Sequence, residues 1–199
     1  MQLSHDAYPW RPWSPRETAE RLARVAAPWG VTAGWALELF VGEPWREHDD
    51  LEIAVAGTRF AEVRAALGEL ELWVPAGGGA LLPFGEMRTA SLQTWGLERA
   101  AEAWRLDVFR EPSEGADWIC RRDDSIRVTW TDLLEQTPDG IPFVRPDVVL
   151  LFKAKSVRPK DQEDFDVVAP RLGPGRRAWL RAALERVHPG HAWLGRLGG

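Results

Sequence analysis

Asp50 and Glu52 stand two positions apart in Asp50-Leu51-Glu52-Ile53-Ala54-Val55. Side chains alternate along a strand, so Leu51, Ile53 and Val55 share one face and the two carboxylates share the other. Carboxylates about 7 Å apart on one strand repel each other unless a cation lies between them, and such hard oxygens suit a divalent metal. A half-exposed strand with a solvated acidic face would show the same alternation. Upstream, Gly34 opens a short helical stretch, Trp35 to Val41, which Gly42 can close in a left-handed conformation and Pro44 keeps from continuing. A glycine at a helix start lets backbone amides approach a phosphate, and the helix dipole favours negative charge there. Gly34, Asp50 and Glu52 together therefore form a candidate triphosphate and metal site, flanked by Trp35 and Trp45.

Gly34-Trp35-Ala36-Leu37-Glu38-Leu39-Phe40, followed by Arg46-Glu47-His48-Asp49-Asp50-Leu51-Glu52, resembles the nucleotidyltransferase superfamily signature. The closer resemblance is to the aminoglycoside-2''-adenylyltransferase-like family. Where that signature has two glycines, or glycine and serine, this chain has Ala33-Gly34, so one phosphate-facing position carries an extra methyl. A second region, Lys153-Ala154-Lys155-Ser156-Val157-Arg158-Pro159-Lys160-Asp161-Gln162-Glu163-Asp164, also resembles the family. Ahead of it the family has Pro-Glu and this chain has Pro146-Asp147.

The resemblance implies a nucleotidyltransferase-type α/β (α+β) fold: a mixed sheet with flanking helices and a C-terminal helical subdomain. It implies Mg²⁺ held by Asp50, Glu52 and Asp107, and ATP as donor, with Gly34, Trp35, Lys153 and Lys160 on the nucleotide. Asp107 takes the role of base toward an acceptor hydroxyl, provided its strand lies beside that of Asp50 and Glu52; a salt bridge to Arg105 is the alternative. Three carboxylates around one or two Mg²⁺ ions can hold phosphates, neutralise charge on the α-phosphate and deprotonate a hydroxyl. Asp161 and Asp164 share a helix face, where Asp161 could instead cap its helix and Lys160 pair with Asp164. His188 and His191, three apart and without a third ligand, fit a turn cap better than a metal site, and His48 fits an orienter of Asp50. Related folds modify antibiotics, modify tRNA or proteins as toxins, or bind nucleotide without transfer, so fold alone does not choose the acceptor.

The elements that must position these residues follow in order. Residues 1 to 13 read as an irregular arm, and Ser14-Pro15-Arg16-Glu17 has the form of a capping box opening a helix to about Pro28. After the acidic strand, Thr58 is placed to cap a helix to about Leu67, and Leu70 to Val74 reads as a strand. Pro75 to Gly79 is a loop, and Phe84 to Trp95 gives no clear pattern. Trp104 to Arg110 reads as a strand, and Trp118 to Arg121 with Ile126 to Trp130 as a strand pair. Helical patterns then run over Asp147–Lys155, Asp161–Ala169 and Arg176–Val187, with a last turn at Ala192–Leu197. This places an α/β domain at 1–144 and the helical subdomain at 145–199.

At 199 residues, 45% hydrophobic and 28% charged, the chain suits one globular unit. The longest apolar run, Val148 to Phe152, is far short of a bilayer span, and a cytoplasmic protein without membrane contact is expected. The single cysteine, Cys120, fits a small buried residue. Of the net charge of -5, all belongs to residues 1–100, with 14 acids and 9 bases, against 16 of each in residues 101–199. That balance argues against a nucleic-acid backbone as main partner and fits a small cationic acceptor, an aminoglycoside-like aminocyclitol. Among 25 basic residues only Lys153, Lys155 and Lys160 are lysine, clustered where a compact ammonium would meet phosphate.

Overall fold

The computed structural model describes residues 2–86 and 91–198. In chain order the elements are β1 (Leu3–Ser4), α1 (Pro15–Leu22), β2 (Trp29–Val31), α2 (Ala33–Val41), β3 (Glu52–Ala56), α3 (Phe60–Ala66), β4 (Glu71–Pro75), β5 (Ala80–Pro83), β6 (Gln93–Glu98) and β7 (Ala103–Glu111). There follow β8 (Ser113–Glu114), β9 (Asp117–Ile119), β10 (Arg127–Thr129), α4 (Trp130–Leu133), β11 (Leu134–Gln136), β12 (Pro142–Val144), α5 (Pro146–Lys153), α6 (Pro159–Val168), α7 (Pro174–Val187) and α8 (Leu194–Leu197). One mixed sheet has the order β1-β5-β4-β6-β7-β3-β2-β12-β11, with β3·β7 and β12·β2 parallel. A small antiparallel sheet, β10-β9-β8, stands beside it.

The acidic strand lies near the middle of the large sheet and is buried on both sides. Ile53 and Val55 fill one face, and Ala54 and Ala56 lie buried on the other, with Glu52 half-buried at the start of the strand. The apolar core runs without a break from Val31, Ile53 and Val108 into Val148, Leu151, Phe165 and Leu184. The boundary expected at 144/145 falls between β12 and α5, and this core crosses it. The two parts are packed as neighbours, which fixes the C-terminal helices relative to the carboxylates.

Local sequence accounts for several boundaries. Ser14 Oγ accepts from Glu17 N–H while Glu17 bonds back to Ser14 N–H, a complete capping box with Pro15 in the first turn. Helix α1 nonetheless ends at Leu22, short of the expected Pro28, because Trp29–Val31 is pulled into the sheet as β2 between β3 and β12. Gly42 closes α2 at φ 85°, donating its N–H to Glu38 C=O, as its position after the helix suggests. Thr58 does not cap α3: residues 57–59 form a 3₁₀ turn, and the helix begins at Phe60. The N-terminal arm is not irregular throughout. Its β1 pairs with β5, and Trp104 N–H donates to Pro9 C=O at 3.0 Å while Arg11 N–H donates to Trp104 C=O at 3.0 Å.

Candidate active site

Parallel pairing of β3 with β7 sets Glu52 directly opposite Asp107. In-register neighbours point to the same face, so Asp107 stands beside the Asp50–Glu52 pair, the placement the sequence reading expected. Its carboxyl is buried and does not pair with Arg105, which binds Glu98 at 2.6 Å. Gln93 Nε2 donates to Asp107 Oδ2 at 2.8 Å, and Oδ1 has no hydrogen-bond partner among the described residues. Burial, and then the Glu52 charge, push Asp107 well above the usual carboxylate range. Burial and Asp50 lift Glu52 to about 7, against the pull of Lys153 and Lys160. Burial raises Asp50 as well, with Lys160 opposing it. Three carboxyls that each resist ionisation here would be relieved by a cation.

The segment before β3 is built around a second set of contacts. Ala33 sits at φ 53°, a left-handed conformation that the missing second glycine would adopt without strain. Gly34 follows for a different reason: a Cβ there would stand 2.3 Å from Arg46 Nη2 and 2.6 Å from the His48 ring. Arg46 and His48 thus occupy the space a side chain at position 34 would take, and a larger residue there would have to displace them. Trp35 donates from Nε1 to Asp50 C=O at 3.1 Å and stacks on His48 with ring centroids 4.6 Å apart. His48 also lies 2.9 Å from Glu38, and burial followed by Arg46 lowers its pKa. Trp35 thus braces the acidic turn from the main chain, and His48 steadies Trp35 without bonding Asp50.

Opposite the carboxylates, a cleft of about 410 Å³ is lined by Ala33, Gly34, Trp35, Asp50 and Glu52 on one side and by Lys153, Lys155, Arg158 and Lys160 on the other. Asp107 is not part of its wall. Lys153 is nearly buried, with Nζ 3.2 Å from Asp161 and 2.8 Å from Asp164, which leaves one of its three N–H donors for another partner. Lys160 is 43% exposed, 3.8 Å from Asp49, and its charge is felt at both Asp50 and Glu52. Asp161 caps α6 by accepting from Arg158 N–H at 3.0 Å, and Asp164 takes a two-pronged bond from Arg46 at 2.8 and 3.0 Å. Lys160 therefore does not pair with Asp164. Asp147 is buried between Arg145 and Arg176 and stays out of the cleft. His191 accepts from Trp193 N–H as a turn cap, and Cys120 is buried.

Sequence reasoning missed the far end of the cleft, where Phe109, Trp118, Val148 and Phe152 line it with Arg121 and Arg122. Arg121 lies over the rings of Phe109 and Phe152 at 4.6 and 4.4 Å. Only the 107–109–111 alternation of β7 hinted at this wall, since arginines in the loop after β9 carry no periodic signal. In all, seven Lys or Arg and five Asp or Glu line the cleft, so its charge is mixed and leans basic. Among the described residues, no group of three or more His, Cys, Asp or Glu side chains gathers closely enough to form a metal cage by itself.

Asp50 just ahead of a strand that opens at Glu52, a third carboxylate on the adjoining parallel strand, and a helix-opening turn beneath a cationic wall define a recognisable arrangement. Residues 16–74 match the family model described as aminoglycoside-2''-adenylyltransferase. The solution structure of the antibiotic-resistance factor ANT(2'')-Ia superposes with a TM-score of 0.57 at 15% identity, covering 86% of this chain and 89% of that one. ANT(2'')-Ia in complex with adenylyl-2''-tobramycin gives 0.58 at 14%, covering 86% and 94%. The lincosamide antibiotic adenylyltransferase LnuA, lincomycin-bound, gives 0.53 at 14%, covering 76% and 91%. The chain has a nucleotidyltransferase fold. At these identities the structural likeness is one of fold, while the sequence match falls on the segment that carries Gly34, Asp50 and Glu52. The family match itself extends over residues 16–74, under half of the chain. No curated protein sequence matches the chain.

Proposed function

We propose that this nucleotidyltransferase transfers AMP from ATP to a hydroxyl of a small sugar-type antibiotic. The observation that carries the reading is the register of Glu52 against Asp107, one strand from Asp50 and facing the lysines of the C-terminal helices. Asp50 and Glu52 would hold Mg²⁺, a fit supported by hard oxygen donors whose ionisation burial and mutual repulsion oppose. Such an ion uses one or two carboxylates and completes its shell with phosphate oxygens, so a closed protein cage is not needed. When bound, it neutralises charge building on the α-phosphate.

The chain's own residues supply the rest. Lys160, Lys155 and the remaining donor of Lys153 face the triphosphate, and the apolar end at Phe109, Trp118 and Phe152 suits a nucleobase. Asp107 accepts the hydroxyl proton. The acceptor oxygen then bonds to the α-phosphorus as the bond to the pyrophosphate oxygen breaks, and pyrophosphate leaves. Ala33, held at φ 53° where the family signature has glycine, favours a second reading, nucleotide binding without transfer. A pyrophosphate-release assay with ATP, Mg²⁺ and a panel including tobramycin and lincomycin separates the two. Release with any acceptor supports transfer, and ATP binding with no release for the whole panel supports the second reading.

A further inference from the structure

The far end of the nucleotide cleft carries a polar pair that the transfer chemistry does not use. Glu111 closes β7 on the same face as Asp107 and Phe109, and it is buried. Arg121 Nη1 donates to Glu111 Oε1 at 2.8 Å, and Trp118 Nε1 donates to Glu111 Oε2 at 3.1 Å. The Arg121 guanidinium also lies over Phe109 and Phe152, at 4.6 and 4.4 Å, so two rings and one carboxylate hold it in place. Its neighbour Arg122 gives its donors to Leu151 C=O at 2.7 Å and Phe152 C=O at 2.6 Å, which ties this loop to α5. Among the described residues Arg121 bonds no acceptor except Glu111, so most of the five N–H groups of its guanidinium are open.

Glu111 and Arg121 both line the cleft, which therefore has a hydrogen-bond acceptor and a donor side by side, 2.8 Å apart. Each carboxylate oxygen of Glu111 accepts one bond within the protein and keeps a second lone pair. Adenine presents the complementary order on one edge: N7 accepts, and the neighbouring N6 amino group donates. Guanine presents N7 and O6, two acceptors, and its O6 would stand against the Glu111 carboxylate. Phe109, Trp118 and Phe152 supply the apolar walls that a flat purine needs.

We propose that Arg121 and Glu111 read the base of the nucleotide, Arg121 donating to N7 of adenine and Glu111 accepting from its N6 amino group. This rests on the transferase reading above, and it gives the choice of ATP a source in this chain's own side chains. Arg121 and Glu111 are then specificity-determining residues, set apart from the carboxylates and lysines that meet metal and phosphate. The Arg121 charge is also felt at Glu52, so contact with phosphate is the outcome that the test must separate from base reading.

The test measures binding by calorimetry, with Mg²⁺ present, for ATP and GTP and for three probes that each lack one feature. These are 7-deaza-ATP without the N7 acceptor, purine riboside triphosphate without the amino group, and inorganic tripolyphosphate without the base. Arg121→Met keeps a long stem against the rings and removes the donors, and Glu111→Gln keeps the shape and removes the charge. The wild type should bind ATP about tenfold to a hundredfold more tightly than GTP. Arg121→Met should lose about tenfold for ATP, nothing for tripolyphosphate, and the discrimination between ATP and 7-deaza-ATP. Glu111→Gln should narrow the gap between ATP and purine riboside triphosphate. Should either variant fail to fold, the wild-type preference for ATP over 7-deaza-ATP and GTP decides alone. Equal wild-type binding of those three, or an Arg121→Met protein that loses tripolyphosphate as much as ATP, overturns the base subsite, while pyrophosphate release still upholds the transferase. Base preference with no release for any acceptor supports the subsite and removes the transferase reading. Neither preference nor release removes both.

Discussion

At the scale of residues, two buried acidic groups that look alike in sequence do opposite things. Glu52 is lifted to about 7 by burial and by Asp50, so its charge works against the folded state until a cation arrives. Asp164, fully buried, is bound by Arg46 and Lys153 and holds two cations in place. Glu52→Gln should therefore abolish transfer, by about a thousandfold or more, while leaving the melting temperature of the metal-free protein equal or higher. Asp164→Ala should lower stability by about 3–5 kcal/mol, because it strands buried positive charge. Denaturant titration of the two variants checks the contrast, and a destabilised Glu52→Gln beside an unaffected Asp164→Ala would reverse it. Ala33, held at φ 53°, supplies a third test: Ala33→Gly should raise stability by about 0.5–1 kcal/mol. A loss of stability on that change would show that the methyl is needed where it stands.

At the scale of elements, helix α6 is anchored to the site through its first turn. Burial alone would raise Asp161, but hydrogen bonds from Arg158 and the charge of Lys153 outweigh it and bring its pKa to about 2, below the ordinary 3.8. A depressed carboxylate adds stability that is present above its unfolded value and is lost as pH falls through its folded one. The stability difference between the wild type and Asp161→Asn should accordingly shrink as pH falls from about 4 to about 2. Urea denaturation across that range reads it, and a constant difference would mean that Asp161 is not ionised in the fold. The order α1, α2, β3, α3, β4 was legible, because β3 alternates, Ser14 and Glu17 form a capping box, and Gly42 closes α2, whereas β5 drew no reading and β6 opens in the stretch that gave no clear pattern. Strand β2 was not legible either. Three residues buried on every side give no alternation to read, and only pairing with β3 and β12 makes them a strand. The partners of Lys153 were hidden for a similar reason, since Asp161 and Asp164 meet it only once α5 and α6 pack together.

At the scale of the whole molecule, the fold places opposite chemistries on the two sides of Asp50 and Glu52. The C-terminal helices bring a cationic wall to one side, and the sheet carries Asp107, Trp95 and the aromatic arm to the other. The acidic N-terminal half, read from composition as the seat of a cationic acceptor, in fact spends several carboxylates on arginine pairs such as Arg21–Glu69 and Arg99–Glu71. Net charge says little about a site for that reason. Among the described residues no helix is long and apolar enough to cross a membrane, in keeping with the short apolar runs of the sequence. The central claim is that Asp50 and Glu52 serve group transfer. It is tested most directly by following pyrophosphate release from ATP and Mg²⁺ with tobramycin and with lincomycin, for the wild type and for Asp50→Ala. The account predicts release by the wild type with at least one of the two, accompanied by an adenylylated product, and a loss of about a thousandfold or more in a folded Asp50→Ala protein. Equal release by the two proteins would contradict it.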